Sequence, residues 1–273
     1  MVNALLQYDF LQNAFLTAIL ASIACGIIGT IIIEKKMVMM SGGIAHTAFG
    51  GIGLGYFLGI EPLIGALFFS VLSALIIAII HKKTTANSDI LIGMFWALGM
   101  ALGILFIAFT PGYPPDMTSY LFGDILLVSQ MDLNITIILD CIIVFIIIAF
   151  FNSFKAYLFD EEFATIIGVP TTLLEYILYI LIALTVVVLI RVVGIILIIA
   201  LLTVPPSIAR QFTFHLKNVI WLSVALGIIF CLTGLWLSYI LHVPSGSIIV
   251  IVSVGSYILA STYNHIFKKV IIQ

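Results

Sequence analysis

Two histidines and one aspartate stand out because they lie inside or at the ends of long apolar stretches. His46 is the histidine placed well inside such a stretch, about 12 Å along its helix if that helix begins at Val38. A neutral imidazole binds zinc well and manganese acceptably, and it can release the ion because it carries no charge. The alternative is a structural role, in which the neutral ring hydrogen-bonds to a backbone carbonyl.

Asp140 and His242 are the other two candidates for ion binding. Asp140 lies within the apolar run LNITIILDCIIVF, where an unpaired carboxylate would take up a proton or find a cation. It is either a second ligand along an ion pathway or an ion-pair partner of Arg191. His242 ends a later apolar run, where it would either receive an ion or lie among lipid headgroups.

A further polar feature is the segment 152–171, NSFKAYLFDEEFATIIGVPT. Three acids are adjacent here, Asp160, Glu161 and Glu162, and the short apolar stretch after them ends at Gly168. Acids near the start and a glycine at the end predict a short amphipathic helix. From the residues alone, the segment is either a docking element or a solvated connector.

The composition shows that membrane helices must position these residues. Of the 273 residues, 63% are hydrophobic and 8% are charged, and the mean hydropathy is +1.34. Soluble domains are roughly half apolar and a quarter charged, so the chain lacks the polar surface of a soluble enzyme. A net charge of −2 with ten basic residues also argues against nucleic-acid binding, which needs clustered Lys and Arg.

Runs long enough to cross a bilayer, about 20 apolar residues each, occur nine times along the chain. We therefore predict an all-α integral membrane protein whose residues 1–273 form a single polytopic membrane domain. The stretch 119–130 is too short to cross and is expected to be interfacial or re-entrant. Within 172–210 only Arg191 marks a turn, so counts of eight and ten spans are the alternatives. The nine predicted spans are 10–33, 38–59, 62–81, 89–110, 132–151, 172–190, 192–210, 218–241 and 244–264.

The basic residues predict the orientation of these spans. When the loops are assigned alternately to the two sides, nine of the ten Lys and Arg residues fall on one side, and only Arg191 falls on the other. The positive-inside rule places the basic side in the cytoplasm. The segment 152–171 and the C-terminus are then cytoplasmic, whereas the N-terminus and the loop 110–119 are outside.

Two of the predicted spans differ from the others in composition. The second has seven glycines between Gly42 and Gly59, and the seventh has Pro205 and Pro206 late in its length. Glycine and proline weaken helical hydrogen bonding, and backbone freed at membrane depth must face protein or water. Interrupted helices of this kind hold substrate sites in transporters. Alternatively, the glycines only allow close packing between helices.

Six segments cover nearly the whole chain in a characteristic order. They are SGGIAHTAFGGIGLGY (41–56), SDILIGMFWALGMALGILF (88–106), SYLFGDIL (119–126), FDEEFATIIGVP (159–170), VGIILIIALLTVPPSIA (193–209) and VPSGSIIVIV (243–252). Together they resemble the membrane permease subunit of prokaryotic ABC importers for zinc and manganese.

This resemblance implies a homodimeric permease in the inner (cytoplasmic) membrane, working with cytoplasmic ATPase subunits and an extracytoplasmic metal-binding protein. A divalent metal ion would be its cargo, with no permanently bound cofactor. The acidic segment resembles the coupling loop that enters a groove on the ATPase, which implies contact roles for Asp160, Glu161, Glu162, Ala164 and Gly168. The chain has no GxxxxGK[ST] phosphate loop, so a partner must hydrolyse ATP and the chain is a transport subunit, not an enzyme.

The sequence departs from the family four residues before His46. Many members carry an aspartate there, but this chain has Gly42. A lone imidazole cannot hold a divalent ion in a pore, so other ligands are needed or the site is a weak, transit one. Asp140 and His242 are the candidates, and the family often has an acid or amide at the position of His242. A histidine site without the carboxylate favours zinc, with manganese and ferrous iron as alternatives.

Three other functions have weaker support in the sequence. A permease for a metal chelate, such as a siderophore or cobalamin, would be longer and would need a wide cavity in place of a buried imidazole. A proton-driven secondary metal transporter would use Asp140 and His46, but the coupling-loop pattern argues against it. An intramembrane hydrolase lacks support because the chain has no HExxH, GxSxG or paired aspartate motif.

Overall fold

The computed structural model describes residues 8–83, 88–112, 118–123 and 125–271, and all regular structure within these ranges is helical. Nine of the helices in this described part have 18 residues or more, and they follow the nine predicted spans in order. The elements are α1 Asp9–Glu34, α2 Val38–Leu58, α3 Pro62–Lys83, α4 Ser88–Phe109, α5 Thr118–Phe122, a 3₁₀ helix Ile125–Leu127, α6 Gln130–Ala149, α7 Phe151–Phe159, α8 Glu161–Ile166, α9 Thr171–Val193, α10 Ile195–Phe212, α11 Leu216–Leu241 and α12 Ser245–Ile271.

Length and apolarity support the prediction of an all-α membrane protein with about nine spans. In the described part of the chain, eight helices are long and apolar enough to cross a bilayer. The ninth long helix, α2, is not among them, since its glycines and His46 make it less apolar. It is nevertheless enclosed in the bundle, and most of its residues are buried. The prediction is confirmed.

The turn between α9 and α10 lies at Gly194, three residues after the Arg191 that marks it in the sequence. Gly194 has a φ of +79°, and a Cβ there would overlap the backbone of Gly123, which itself has a φ of +65°. Both positions therefore require glycine for two reasons, the positive φ and the close approach of two chains. Gly123 lies between α5 and the 3₁₀ helix, so the predicted non-spanning piece consists of two short helices packed beside this turn.

α1 packs against α6, α10 and α11, whereas α2 packs mainly against α3 and α4. α9 contacts α3, α2 and α6 and so joins the two groups. Two of the hydroxyl groups buried in α1 are satisfied within the helix: Ser22 Oγ donates to the carbonyl of Ala18 at 2.6 Å, and Thr30 Oγ1 to that of Gly26 at 2.7 Å. This matters because the bilayer core offers no water as a partner.

The two unusual spans remain continuous helices, which corrects the expectation that they are interrupted. α10 runs through Pro205 and Pro206 without a break. A proline at 206 cannot donate to the carbonyl of Leu202, and that carbonyl lies where a Cβ on Gly29 of α1 would be. The carbonyl of Leu202, which lacks its helical hydrogen bond, therefore faces protein and not lipid. Close packing of α10 against α1 at Gly29 holds the backbone here in place of that hydrogen bond.

Candidate functional site

The glycines of α2 bring this helix into backbone contact with its neighbours. A Cβ on Gly50 would lie 2.7 Å from the carbonyl oxygen of Gly99, and one on Gly53 would lie 2.5 Å from that of Gly103. Gly99 and Gly103 belong to α4, so glycines from both helices form this contact. Small residues on both sides let helix backbones approach closely in a membrane. The packing role of these glycines is supported, and α2 is a rigid platform for the side chains it carries.

His46 is held against α4 by this close approach. Its ring is stacked on the indole of Trp96, with 4.0 Å between the centroids and an angle of 12° between the planes. Its Nδ1 is 3.4 Å from Sδ of Met100, one turn further along α4. The imidazole is only partly buried, unlike most of its neighbours on α2. The structural alternative for His46 was a hydrogen bond from the ring to a backbone carbonyl. Among the described residues, the neighbours of the ring are instead the thioether of Met100 and the indole of Trp96.

Asp140 lies in a different part of the bundle. It is 5% exposed on α6, the helix that packs against α1 and α9, and α6 has no major contact with α2 or α4. Both of its carboxylate oxygens are buried without a hydrogen-bond partner in the described structure. The side chain of Arg191, its alternative partner, lies outside the described residues. Its role as a second ligand stays a prediction.

His242 caps the C-terminal end of α11 and is exposed. It adopts a left-handed conformation with a φ of +55°, which is uncommon for a residue other than glycine. The next turn is held by Ser238 Oγ, which donates to the carbonyl of Val243 at 2.6 Å. Within the described residues no three His, Cys, Asp or Glu side chains form a metal-binding group. The three candidates therefore do not converge, and the role of His242 stays a prediction as well.

The acidic segment forms the short helix that the sequence predicts. Asp160 caps α8, since its Oδ1 accepts from the backbone N–H of Phe163 at 2.9 Å. Ala164 is fully buried and anchors the helix on the bundle. Gly168 ends it with a φ of +84° and with no atom within 4 Å of the position of a Cβ. Gly168 is thus required by its backbone conformation and not by a close contact.

An exposed apolar surface on and beside this helix is a feature that the sequence analysis missed. Phe159, Phe163, Ile166 and Ile167 are 90%, 55%, 82% and 54% exposed, at the end of the molecule that carries charged loops. Part of the signal was available, because Phe163, Ile166 and Ile167 have the i, i+3, i+4 spacing of one helical face. Phe159 ends α7 and is separated from them by the extended backbone of Asp160. We name these four residues the α8 apolar surface. Apolar side chains grouped on a polar end typically mark a contact site for another protein.

An ion pair connects α8 to the turn between α1 and α2. Nζ of Lys35 is 2.7 Å from Oε2 of Glu161 and 3.5 Å from the centroid of the Tyr157 ring. These residues line a cavity of about 370 Å³ together with Asp89 and Glu175. Burial is the largest cause that raises the pKa of Tyr157, and the nearby Glu161 and Glu175 raise it further, so the phenol stays neutral beneath the ammonium group. The link matters because α2 begins three residues after Lys35.

Other basic residues lie at the same end of the bundle. Nε of Arg210, in the last turn of α10, is 2.8 Å from Oε1 of Glu34, and the ammonium group of Lys217 lies 5.3 Å from the centroid of the Phe151 ring. Lys155 and Arg210 line one cavity of about 610 Å³. The basic residues that the sequence assigns to one side of the membrane are therefore neighbours where the structure describes them. The orientation of that side toward the cytoplasm stays a prediction.

Comparison with known proteins gives full-length matches. A model of the ABC 3 transport family matches residues 7–264. An uncharacterized membrane protein of Synechocystis sp., slr2045, is 43% identical and aligns over 96% of this chain and 93% of its own. The manganese transport system membrane protein MntC of Halalkalibacterium halodurans is 34% identical over 94% of this chain and 88% of its own. The solved structure of PsaBC from Streptococcus pneumoniae in complex with a Fab has a chain that is 34% identical, with a TM-score of 0.85, covering 95% of this chain and 93% of that one.

Proposed function

Since this chain belongs to the ABC 3 transport family, we propose that it is the membrane permease subunit of an ATP-driven importer that moves a divalent transition metal ion into the cytoplasm. Membership of this family confirms the resemblance noted in the sequence. It also argues against the alternative function, a proton-driven secondary metal transporter. The chain crosses the cytoplasmic membrane several times, and a separate ATPase hydrolyses the ATP. Zinc is the cargo that we propose, with manganese and ferrous iron as the alternatives.

The observation that carries this proposal is the connection from the α8 apolar surface to α2. The surface is exposed for contact with an ATPase, and Glu161 on the same helix pairs with Lys35 at 2.7 Å. Lys35 lies three residues before the start of α2, and α2 carries His46. A shift of α8 caused by nucleotide binding would therefore be transmitted to the helix that presents the imidazole. Such coupling needs a packed, two-state element, and α2 packed on α3 and α4 is a candidate for it.

The nature of the cargo is inferred from the relatives and from the side chains. MntC is a manganese transport protein by name, and this chain covers most of its length. In this chain, however, Nδ1 of the imidazole is 3.4 Å from the thioether sulfur of Met100, and among the described residues His46 belongs to no group of three His, Cys, Asp or Glu. Imidazole and sulfur ligands suit zinc better than manganese, which prefers oxygen ligands. We therefore assign the cargo to the class of divalent transition metals and favour zinc within it.

The partners follow from the same proposal. Two ATPase subunits bind the α8 apolar surface, and Asp160, Glu161, Glu162, Ala164 and Gly168 shape that contact. An extracytoplasmic metal-binding protein delivers the ion near the exposed His242. A second copy of the chain completes the pathway, since the described part of one chain carries no three-ligand group of its own. The outer helices α4 and α12 present many exposed apolar side chains, available to lipid or to that second copy.

The test is transport by the purified complex in proteoliposomes. The permease and its ATPase are reconstituted with the binding protein outside, and uptake of radioactive zinc and manganese is measured separately, with ATP and with a non-hydrolysable analogue inside. We expect uptake that needs ATP hydrolysis and accepts the free ion. Uptake of a chelate alone would support the chelate permease instead, and uptake driven by a proton gradient without ATP would reject the proposal.

His46 is tested in the same assay by replacement with alanine. We expect His46→Ala to abolish uptake while the complex still forms, because the imidazole is only partly buried and few packing contacts are lost. His265→Ala is the matched control, since His265 is an exposed histidine near the end of α12. A well-assembled His46→Ala complex that moves metal at the native rate would exclude the ligand role.

A further inference from the structure

The surroundings of His46 on its own helix contain no second metal ligand. The residues one turn away on α2 are Gly42, Gly43, Phe49 and Gly50, none of which has a donor side chain. The neighbouring Thr47 is already engaged, since its Oγ1 donates to the carbonyl of Gly43 at 2.7 Å and approaches that of Phe95 at 3.2 Å. Any partner for the imidazole in this chain must therefore come from another helix.

The nearest such donor is the thioether of Met100. Its Sδ lies 3.4 Å from Nδ1 of His46. Zinc binds nitrogen at about 2.0–2.1 Å and thiolate sulfur at about 2.3 Å, so a nitrogen and a sulfur on one tetrahedral zinc ion are separated by roughly 3.5–3.6 Å. The observed distance of 3.4 Å is close to this separation. One ion could thus bind both atoms with little movement of either side chain.

Trp96 occupies the space that a carboxylate on α2 would need. A Cβ on Gly42 would lie 3.3 Å from Cζ3 of the Trp96 indole, so the ring would have to shift by a few tenths of an ångström to admit a side chain there. The same indole is stacked on the imidazole at 4.0 Å, so it also restricts rotation of that ring. Trp96 therefore fixes the orientation of His46 and excludes an oxygen ligand from the adjacent position.

We propose that Met100 is a metal ligand paired with His46 and that Trp96 makes this pair selective for a borderline-soft divalent cation, zinc or ferrous iron, over manganese. This inference rests on the proposed function and goes beyond it in naming the ligands that set the selectivity. A nitrogen–sulfur pair suits zinc and iron, whereas manganese and magnesium favour carboxylate and carbonyl oxygen. The remaining coordination positions are filled by water or by the second copy of the chain.

The first experiment compares Met100→Leu with Met94→Leu in the full complex in proteoliposomes. Leucine keeps the volume of methionine and removes the sulfur. Met94 is on the same helix and is 63% exposed, which makes it the matched control. For Met100→Leu we expect zinc uptake at limiting zinc to fall on the order of tenfold, with manganese uptake changed by less than about twofold. For Met94→Leu we expect both rates to stay native.

A structural readout separates a ligand from a packing role. X-ray absorption at the zinc edge of the zinc-loaded wild-type complex should contain one sulfur neighbour at about 2.3 Å, and Met100→Leu should lose it while still binding its ATPase. A wild-type spectrum with only nitrogen and oxygen neighbours, or a native ratio of zinc to manganese uptake in Met100→Leu, would overturn the inference and leave the importer proposal intact. A wild-type complex that moves no metal would overturn both.

The role of Trp96 is tested by reintroducing the carboxylate. Gly42→Asp alone should impair transport of every ion, because the carboxylate meets the indole. Gly42→Asp combined with Trp96→Ala should raise manganese uptake relative to zinc by several-fold. An unchanged ratio in the double variant, with ATPase binding retained, would contradict the proposed selectivity.

Discussion

Glycine serves opposite purposes in the contact between α2 and α4 and in the loop after α8. In the first region, Gly50, Gly53, Gly99 and Gly103 are required because a neighbouring backbone fills the space of a side chain. In the second, Gly168 has open space around it and is required by its φ of +84°. The first region keeps His46 and Met100 in a fixed relation, and the second presents an exposed surface to a partner. The difference separates a packed part of the helix bundle from an exposed part at which we propose that the ATPase binds.

The largest effect is expected from filling the packed contact. A Cβ on Gly99 would lie 2.5 Å from Cα of Thr47, so Gly99→Leu must force α2 and α4 apart. Overpacking costs about 1–3 kcal/mol and more where backbone cannot move, and we expect loss of the folded protein in detergent. Gly93→Leu on the same helix is the control, since nothing lies within 4 Å of a Cβ there. The measurement is thermal stability by size-exclusion chromatography after heating. Equal stabilities of Gly99→Leu and Gly93→Leu would contradict the proposed packing role of Gly99.

A smaller and different effect is expected at Gly168. Replacement by valine forces a branched residue into left-handed backbone, at a cost of about 1–2 kcal/mol, and distorts α8. We expect ATPase binding and uptake to fall strongly, with the thermal stability of the membrane helices nearly unchanged. Gly168→Asn should retain more activity, because asparagine tolerates this conformation. If the two variants lose uptake equally, the positive φ is not the reason for glycine.

The link between the two regions is expected to have an intermediate effect on transport and a small one on stability. The side chains of Lys35 and Glu161 are 16% and 48% exposed, so their pairing contributes roughly 0–1 kcal/mol. Lys35→Glu and Glu161→Lys should each reduce uptake a few-fold, and the double variant should recover part of it. Uptake and ATPase activity measured together test the coupling; a double variant no better than the sum of the single losses would argue against it.

The smallest effect on the protein is expected from single cysteines that test the membrane topology by chemical labelling. Single cysteines at 160 and 167, on a background without the native Cys25, Cys141 and Cys231, should leave the membrane helices folded, and only labelling is measured. In intact cells an impermeant thiol reagent should not reach them, because both positions face the cytoplasm under the positive-inside rule. Labelling at a cysteine placed at 242 is the positive control. Strong labelling at 160 with the membrane intact would reverse the predicted topology.

Much of the fold could be predicted from local composition. Each long helix is an apolar run, and α8 carries its own start and stop signals in Asp160 and Gly168. The turn at Gly194 was displaced from the predicted position because a charge, Arg191, was the visible marker, whereas the structural requirement is a glycine that fits against Gly123. The expected interruption of α2 did not occur, because its glycines are enclosed by α3 and α4.

The surroundings of the candidate site were beyond sequence reasoning. His46 could be selected because an imidazole within an apolar span is costly and therefore functional. Trp96 and Met100 could not be selected, since they are 50 and 54 residues away from it along the chain and nothing local connects them. Asp140 was grouped with His46 by its chemistry, but the structure places it on α6, which packs elsewhere.

The sequence by itself determined that this chain crosses the membrane in helices, which spans are unusual in composition and where the short helix α8 begins and ends. These properties follow from runs and spacings of neighbouring residues, because burial in lipid and helix capping act over a few turns. Only the tertiary structure decided that α2 stays unbroken, that an indole lies beside Gly42, and that a thioether lies next to the imidazole. Those properties depend on how closely two helices distant in sequence can approach, and it is their glycines in contact that set this distance.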